Sequence, residues 1–318
     1  MNLWKLRLSM FGTLALIFGL STIFMVAILL ATGTFNIFTL PIFIVGFNLA
    51  QWLVAPYIID AVYHVKEVSK PQEPRLYETV ERLSSKSGIK MPRVMIADIP
   101  IPNAFAYGSP IAGSRVAVTR GLLNKLEYEE VEAVVGHELG HLRHRDAQVM
   151  MLASLLPAIF YYIGYSFLYT SRQRDEERGS MLAAIGAGSI LLYWVLSFLV
   201  LGLSRLREYY ADRHGAETVD DGARKLSEAL AKISVSTGRM RIQRNASGFS
   251  SFKTLFISDP EKSGDNAVQM MSTGMIESDQ MLVNEILSRG VTPLDRFLEL
   301  FSTHPSTVER LRALKELE

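Results

Sequence analysis

From Leu8 to Ile59 the chain carries no charged residue, and this run limits the possible folds more than any other feature. As one helix it would far exceed a ~30 Å hydrocarbon core, at ~1.5 Å rise per residue. The run must therefore fold back, and Ala31-Thr-Gly-Thr-Phe-Asn36 supplies the break. Two membrane spans are expected, 8–30 and 37–59. Two more charge-free runs, Ala147–Ser171 and Gly179–Ser204, are each long enough to span once. Four such runs are rare in soluble domains, so four transmembrane helices are expected rather than buried core helices. Lys5 and Arg7 precede the first run, but its apolar part is too long for a secretory signal and offers no clear cleavage site.

Four spans return the N-terminus, 60–146 and 205–318 to one side of the membrane. That side carries Lys5, Arg7, Lys66, Lys70, Arg75, Arg143, Arg145, Arg205, Arg207 and Arg213 near the span ends, against Arg172, Arg174 and Arg178 on the other. The excess of basic residues makes the larger side cytoplasmic. The third and fourth spans form a hairpin, so residues just before 147 and just after 204 come back to the same membrane face. Trp4, Trp52 and Trp194 read as membrane anchors or packing residues.

The polar segments have their own signals. Leu76, Val80 and Leu83 repeat at helical spacing, and Gly88 is placed to cap that helix. Residues 92–97 and 114–119 read as short strands. Between them Pro100-Ile-Pro-Asn-Ala-Phe-Ala-Tyr-Gly-Ser-Pro110 is expected to be an edge strand or loop, because proline cannot serve a central strand. Residues 126–146, 205–219 and 221–233 read as helices. The polar stretch 234–274 is expected to be irregular, and its Asn245-Ala-Ser247 sequon is without meaning on a cytoplasmic face. Thr292-Pro293 and Ser306-Thr-Val-Glu309 mark two late helix starts.

Composition narrows the chemistry. The net charge of +1 gives no reason to expect a nucleic-acid partner. With no cysteine there is no disulfide framework, thiolate metal site or cysteine nucleophile. Any metal must be held by His, Asp or Glu. His137-Glu138-Leu139-Gly140-His141 puts two imidazoles one helical turn apart on one face, where both can meet one zinc ion at ~2.0–2.1 Å. Glu138 stands beside them, placed to take a proton from a water whose pKa zinc lowers toward ~7 and to deliver it later to a leaving amine. A third protein ligand is needed. His144 lies seven residues from His137, a rise of ~10 Å, too far along the helix for convergence on the same ion; His214 and Glu208 are both available.

Gly136-His-Glu-Leu-Gly-His141, followed by Arg145-Asp146 and then by Arg205-Leu-Arg-Glu-Tyr-Tyr-Ala-Asp212, resembles the HtpX-type integral-membrane zinc metallopeptidases, relatives of the CAAX prenyl proteases. The resemblance implies that Glu208 is the third zinc ligand, and that Asp212 orients a zinc-bound histidine from behind. Pro102-Asn-Ala-Phe-Ala-Tyr-Gly108 resembles the family segment whose edge strand pairs with substrate backbone, which puts Asn103, Ala104 and Phe105 in substrate binding. Thr303-His-Pro-Ser-Thr-Val-Glu-Arg310 resembles a segment whose histidine, here His304, helps stabilise the oxyanion.

The fold expected on this basis is a mainly α membrane protein of α+β class: four transmembrane helices and a zincin-like (gluzincin) catalytic domain with a small β-sheet. The expected order is a transmembrane hairpin (1–62), the first part of the metallopeptidase domain (63–148), a second hairpin (149–204), and the rest of that domain (205–318). The expected function is that of a zinc endopeptidase with one Zn2+ per chain, set in the cell membrane with its site toward the cytoplasm. It would cleave misfolded or surplus membrane proteins. A narrower prenyl-protein processing protease and a non-catalytic scaffold or chaperone with a closed four-ligand zinc site are the rival readings. A transporter is disfavoured, because the expected spans hold no ionisable residue.

Overall fold

The computed structural model describes residues 39–172, 175–243 and 278–318. The expected span 8–30, its turn, and the Asn245 sequon lie outside these. The described chain is mainly helical with one small mixed sheet. Among the described residues three helices are long and apolar enough to cross a membrane: α1 (Thr39–Val62), α5 (Asp146–Ser171) and α6 (Glu176–Thr218). α6 is too long to span throughout. Its charge-free part, Gly179–Ser204, is long enough to cross once, and the turns from Arg205 onward bury one face, with Glu208, Ala211, Asp212 and His214, in the second unit.

The chain divides into two compact units. The described part of the first comprises the start of α1 and residues 153–197 of α5 and α6. Here Gly164 and Gly186 let two apolar helices touch backbone to backbone. A Cβ on Gly164 would stand 2.9 Å from the Gly186 carbonyl oxygen, and one on Gly186 would meet the Gly164 carbonyl oxygen at 2.9 Å. Such small-residue contacts are how helices associate where lipid gives no hydrophobic drive.

The second unit, Gln51–Leu152 with Phe198–Glu318, holds the sheet. Its strands β1 (Val65–Glu67), β2 (Arg93–Ala97), β3 (Ala104–Ser109) and β4 (Gly113–Thr119) lie in the order β1-β2-β4-β3. β2 and β4 are parallel; the other two pairings are antiparallel. β3 is an edge strand, in keeping with the prolines that flank it. Helix α2 (Pro74–Lys86) buries Leu76, Val80 and Leu83 and ends at Gly88, whose φ of 66° is the left-handed conformation that glycine adopts without strain. After α3 (Arg120–Lys125), α4 (Tyr128–Arg143) starts at a reciprocal cap: Glu127 accepts from the third residue of the helix, and the Glu130 carboxylate accepts from Glu127 N at 2.7 Å. Nearly every residue from Glu130 to Gly140 is buried, so α4 is the central helix, packed on β3, β4, α2 and α7 (Gly222–Gln243).

α7 corrects one expectation. Residues 234–243 are helical and not irregular, with Ser234, Ser236 and Thr237 buried. Small hydroxyl residues read as loop by composition, but they also fit a tight helix contact, and tertiary burial decides. Three more helices complete the unit: α8 (Asp279–Ser288), α9 (Pro293–Glu299) and α10 (Thr307–Lys315). α8 starts at Ser278, whose side chain accepts from Met281 N. At Ser306, the expected start of α10, half of a capping box is present. Ser306 Oγ accepts from Glu309 N, while Ser306 N donates not to Glu309 but to Glu299 Oε1 at 3.1 Å.

Candidate metal centre

The two histidines of α4 point into a cleft of ≈ 940 Å³. Their Nε2 atoms are 3.2 Å apart. Two nitrogens at ~2.0–2.1 Å from one tetrahedral ion would be separated by about 3.3 Å. Glu208, on α6, brings Oε2 to 3.8 Å from His137 Nε2 and Oε1 to 3.7 Å from His141 Nε2. The three side chains form one group able to hold a metal ion. Glu208 Oε2 is buried and makes no hydrogen bond, with Arg310 as a cation on one side only, so it keeps a lone pair that a metal ion could take.

The other ring nitrogens are fixed from behind. His137 Nδ1 lies 2.9 Å from Asp212 Oδ1, and His141 Nδ1 lies 2.6 Å from Asp146 Oδ2. A carboxylate beside each Nδ1 keeps the proton there and leaves Nε2 as a lone pair for a metal. Asp146 reaches back because Arg145 turns the chain at φ 55° after α4 ends, and Arg207 pairs with its other oxygen. Arg310, on α10, is buried against both acidic groups. Its Nη1 lies 3.2 Å from Glu208 Oε2, and its Nη2 and Nε donate to the two oxygens of Asp212 at 2.5 and 2.8 Å. Burial by itself raises the Glu208 carboxyl, but His304 and Arg310 outweigh it and hold the group well below the usual carboxylate range. Asp212 behaves alike: burial raises it, and Arg310 with the His137 contact brings it lower. The donor set therefore fits zinc in both number and charge state.

This convergence requires α4 and α6 to cross in close contact, and glycine makes it possible. A Cβ on Gly215 would stand 3.0 Å from His137 N, and one on Gly140 would meet Ala211 Cα and His214 Cβ at 3.1 Å. Any larger side chain at either place would push Glu208 away from the histidines.

Glu138 is buried at 4% exposure yet lines the cleft beside the ligands. His304, in the turn before α10, also lines it, with Nδ1 3.1 Å from Glu208 Oε1. Of the three residues expected to bind substrate, Ala104 and Phe105 line the cleft and Asn103 does not. Asn103 is buried, its N–H donating to Thr119 Oγ1 at 2.9 Å and its carbonyl accepting from Thr119 N at 3.0 Å. The side chains of Ala104 and Phe105 are buried in the cores on either side of the sheet, so strand β3 presents main chain to the cleft. The strand is tied down at its far end: Tyr107 donates to Asp60 Oδ1 at 2.5 Å, and Arg115 pairs with the same carboxylate.

His144 caps the end of α4 at the surface, away from the ligand group. Partial burial, then Arg143 and Arg207, lower its pKa. His214 turns away from the cleft, its Nε2 2.9 Å from Ser87 Oγ. Burial, then Arg143 and His144, push it down to about 4 from the ordinary 6.5. Between pH 6.5 and 4 the unfolded chain therefore binds a proton that the folded chain refuses. Stability present above pH 6.5 falls across this window, by up to about 3 kcal/mol. A His214→Asn variant should show a shallower fall in denaturation midpoint from pH 6.5 to 4 than the unmodified chain; superimposable curves would refute the assignment. A second acidic group, Glu130, Glu228 and Asp279, is already neutralised: Lys232 lies 2.7 Å from Glu130 and 2.8 Å from Asp279, and Arg224 lies 2.8 Å from Glu228.

The residues that sequence reasoning missed are Asp146 and Arg310. Asp146 had a local signal, an acidic residue just beyond the second histidine. Arg310 had none, since its partner Asp212 is 98 positions away.

Residues 70–318 match the profile of Peptidase family M48. The chain is 41% identical over 285 residues to a "Protease HtpX homolog" of Thermoplasma acidophilum, covering 88% of this chain and 84% of that one. It is 35% identical over 316 residues to the one of Archaeoglobus fulgidus, covering 98% and 88%. Among solved structures, the crystal structure of S. mikatae Ste24p superposes with a TM-score of 0.55 at 17% identity, covering 98% of this chain and 66% of that protein, and so shares the fold. A helix-borne His-His-Glu group backed by carboxylates, a match to the family profile over most of its length, and relatives above the level of chance resemblance agree: the chain belongs to peptidase family M48.

Proposed function

We propose that the chain is a membrane-embedded zinc endopeptidase that cleaves misfolded or surplus membrane proteins, with its site facing the cytoplasm. The observation that carries this reading is the cleft itself. It is lined by the edge strand β3 together with His137, Glu138, His141, Glu208 and His304. The open edge offers backbone N–H and C=O groups to an extended peptide, which gives affinity without reading side chains. That suits substrates defined by being unfolded. The segments 63–148 and 205–318 act as one metallopeptidase domain, interrupted by the hairpin 149–204. The many arginines near the site, Arg143, Arg145, Arg205, Arg207 and Arg213, support the cytoplasmic orientation.

His137, His141 and Glu208 would hold zinc, which when bound supplies Lewis acidity to the scissile carbonyl and to the attacking water. Glu138 takes the proton from that water and returns it to the leaving amine. His304 donates a hydrogen bond to the oxygen on which negative charge develops. Asp212 and Asp146 keep both imidazoles in the tautomer that leaves Nε2 free. β3 holds the peptide extended, so that its carbonyl stays within reach of these groups.

The test is cleavage in liposomes of an unfolded multi-pass membrane protein, its folded form, and a prenylated peptide. Cleavage of the unfolded protein alone, lost on chelation and restored by zinc, is the expected result. Cleavage confined to the prenylated peptide would replace the reading with that of a processing protease. Stoichiometric zinc without any cleavage would favour a scaffold.

A further inference from the structure

Helix α9 is built inside out. Glu299 is only 7% exposed, its Oε1 accepting from Ser306 N at 3.1 Å, while its neighbours Phe297 and Leu300 are 52% and 48% exposed. In water this arrangement costs on both counts: a carboxylate is desolvated and two large apolar side chains are left wet. The pattern is rational if what lies outside α9 is not water.

The attachment of α9 fixes its level along α6. Arg205 Nη1 donates to the carbonyls of Glu299 and Ser302, both at 2.9 Å, and so caps the open end of α9. The Phe301 ring stands edge-on to Phe198 with centroids 5.2 Å apart, and Phe297 meets Phe301 in the same edge-on way at 5.5 Å. Phe198 belongs to the charge-free run that ends at Ser204. It precedes Arg205 by two helical turns, a rise of about 10 Å. Thus the end of α9 and the turn after it are held against the last turns of an apolar span, between the first cation outside it and a ring within it. Leu199, next to Phe198 on that run, is an exposed apolar side chain at 63% exposure.

We infer that α9 and the turn after it, Pro293–Ser302, form an interfacial helix seated at the boundary between headgroups and acyl chains, with Phe297 and Leu300 in contact with phospholipid acyl chains. This rests on the reading of α6 as a span. The depth matches that of amphipathic helices that lie in the membrane plane, about 5–10 Å into the boundary. Arg296, exposed next to Phe297, is long enough to reach back to phosphate groups. The turn that follows α9 carries His304 into the cleft, and the Glu299–Ser306 bond ties the start of α10 to it. The bilayer surface therefore supports the cleft from below.

The chain has no cysteine, so single thiols can be introduced without background. Spin labels at Phe297→Cys and Leu300→Cys are compared in phosphatidylcholine–phosphatidylglycerol liposomes with Leu199→Cys as lipid reference and Glu78→Cys as water reference. Accessibility to oxygen and to a water-soluble nickel chelate is measured on the full chain. At 297 and 300 the oxygen-to-nickel ratio should be several-fold above that at 78 and close to that at 199. A ratio equal to that at 78 overturns the inference. Spin–spin broadening that grows with protein-to-lipid ratio would overturn it too, since a second copy would then cover the patch. If the label at 199 reads as aqueous, it is the span assignment of α6 that fails, a result distinct from failure at 297 alone.

Discussion

Glu138→Gln is expected to lower the rate of peptide hydrolysis by about 10²–10⁴-fold, the range that a positioned general base contributes, while zinc content stays at that of the unmodified chain. Glutamine has the same shape but no basic lone pair at neutral pH. It cannot take the proton from the attacking water or return it to the amine. Glu138 is buried beside His137 without joining the group able to hold a metal ion. Its replacement therefore removes chemistry and leaves the metal site intact. Because the carboxylate and the amide are nearly isosteric, KM should move little and the loss should fall on kcat. Zinc analysis and single-turnover cleavage on the same preparation check both halves. Undiminished cleavage would remove Glu138 from the mechanism, and lost zinc would make it a structural residue.

Arg310→Met should damage the protein in a different way. The guanidinium is almost fully buried and is shared by Glu208 and Asp212. Methionine fills similar volume but leaves two carboxylates without their counter-charge. Breaking one side of a buried ion pair costs about 3–5 kcal/mol. Asp212 also loses the fork that holds both its oxygens, so the contact behind His137 Nδ1 loosens. Carboxylates in that position are worth about 10–100-fold in metal affinity. Arg310→Lys restores charge but not the planar fork, so it should recover stability more than zinc affinity. Denaturant midpoints and a zinc competition titration separate the two effects. A methionine variant with unchanged zinc affinity would show that Arg310 acts on stability alone.

Much of the fold was legible because membrane spans and helix caps are local signals. A charge-free run needs no partner to declare itself, and the capped start of α9 at Thr292-Pro293 depends on adjacent residues. What failed was non-local. Residues 234–237 look like loop by composition, and they form helix because they pack inside the second unit. Arg310 is an unremarkable arginine on a terminal helix until α10 folds onto α6. Likewise α9 is read as a short capped helix, and only its burial pattern shows Glu299 turned in and Phe297 and Leu300 turned out.

The sequence by itself determined the reagents: two histidines at helical spacing with a glutamate between them, no thiols, and apolar runs long enough to cross a membrane. Short-range periodicity suffices for these, because ligand spacing on a helix is set by the backbone. The third ligand could be named only by resemblance, since His214 and Glu208 stood equally available. Tertiary structure decided between them. The crossing of α4 and α6 at Gly140 and Gly215 turns Glu208 toward the histidines and His214 toward Ser87. The angle and depth of a helix crossing depend on the side chains of both helices at once, and no single stretch of sequence encodes them.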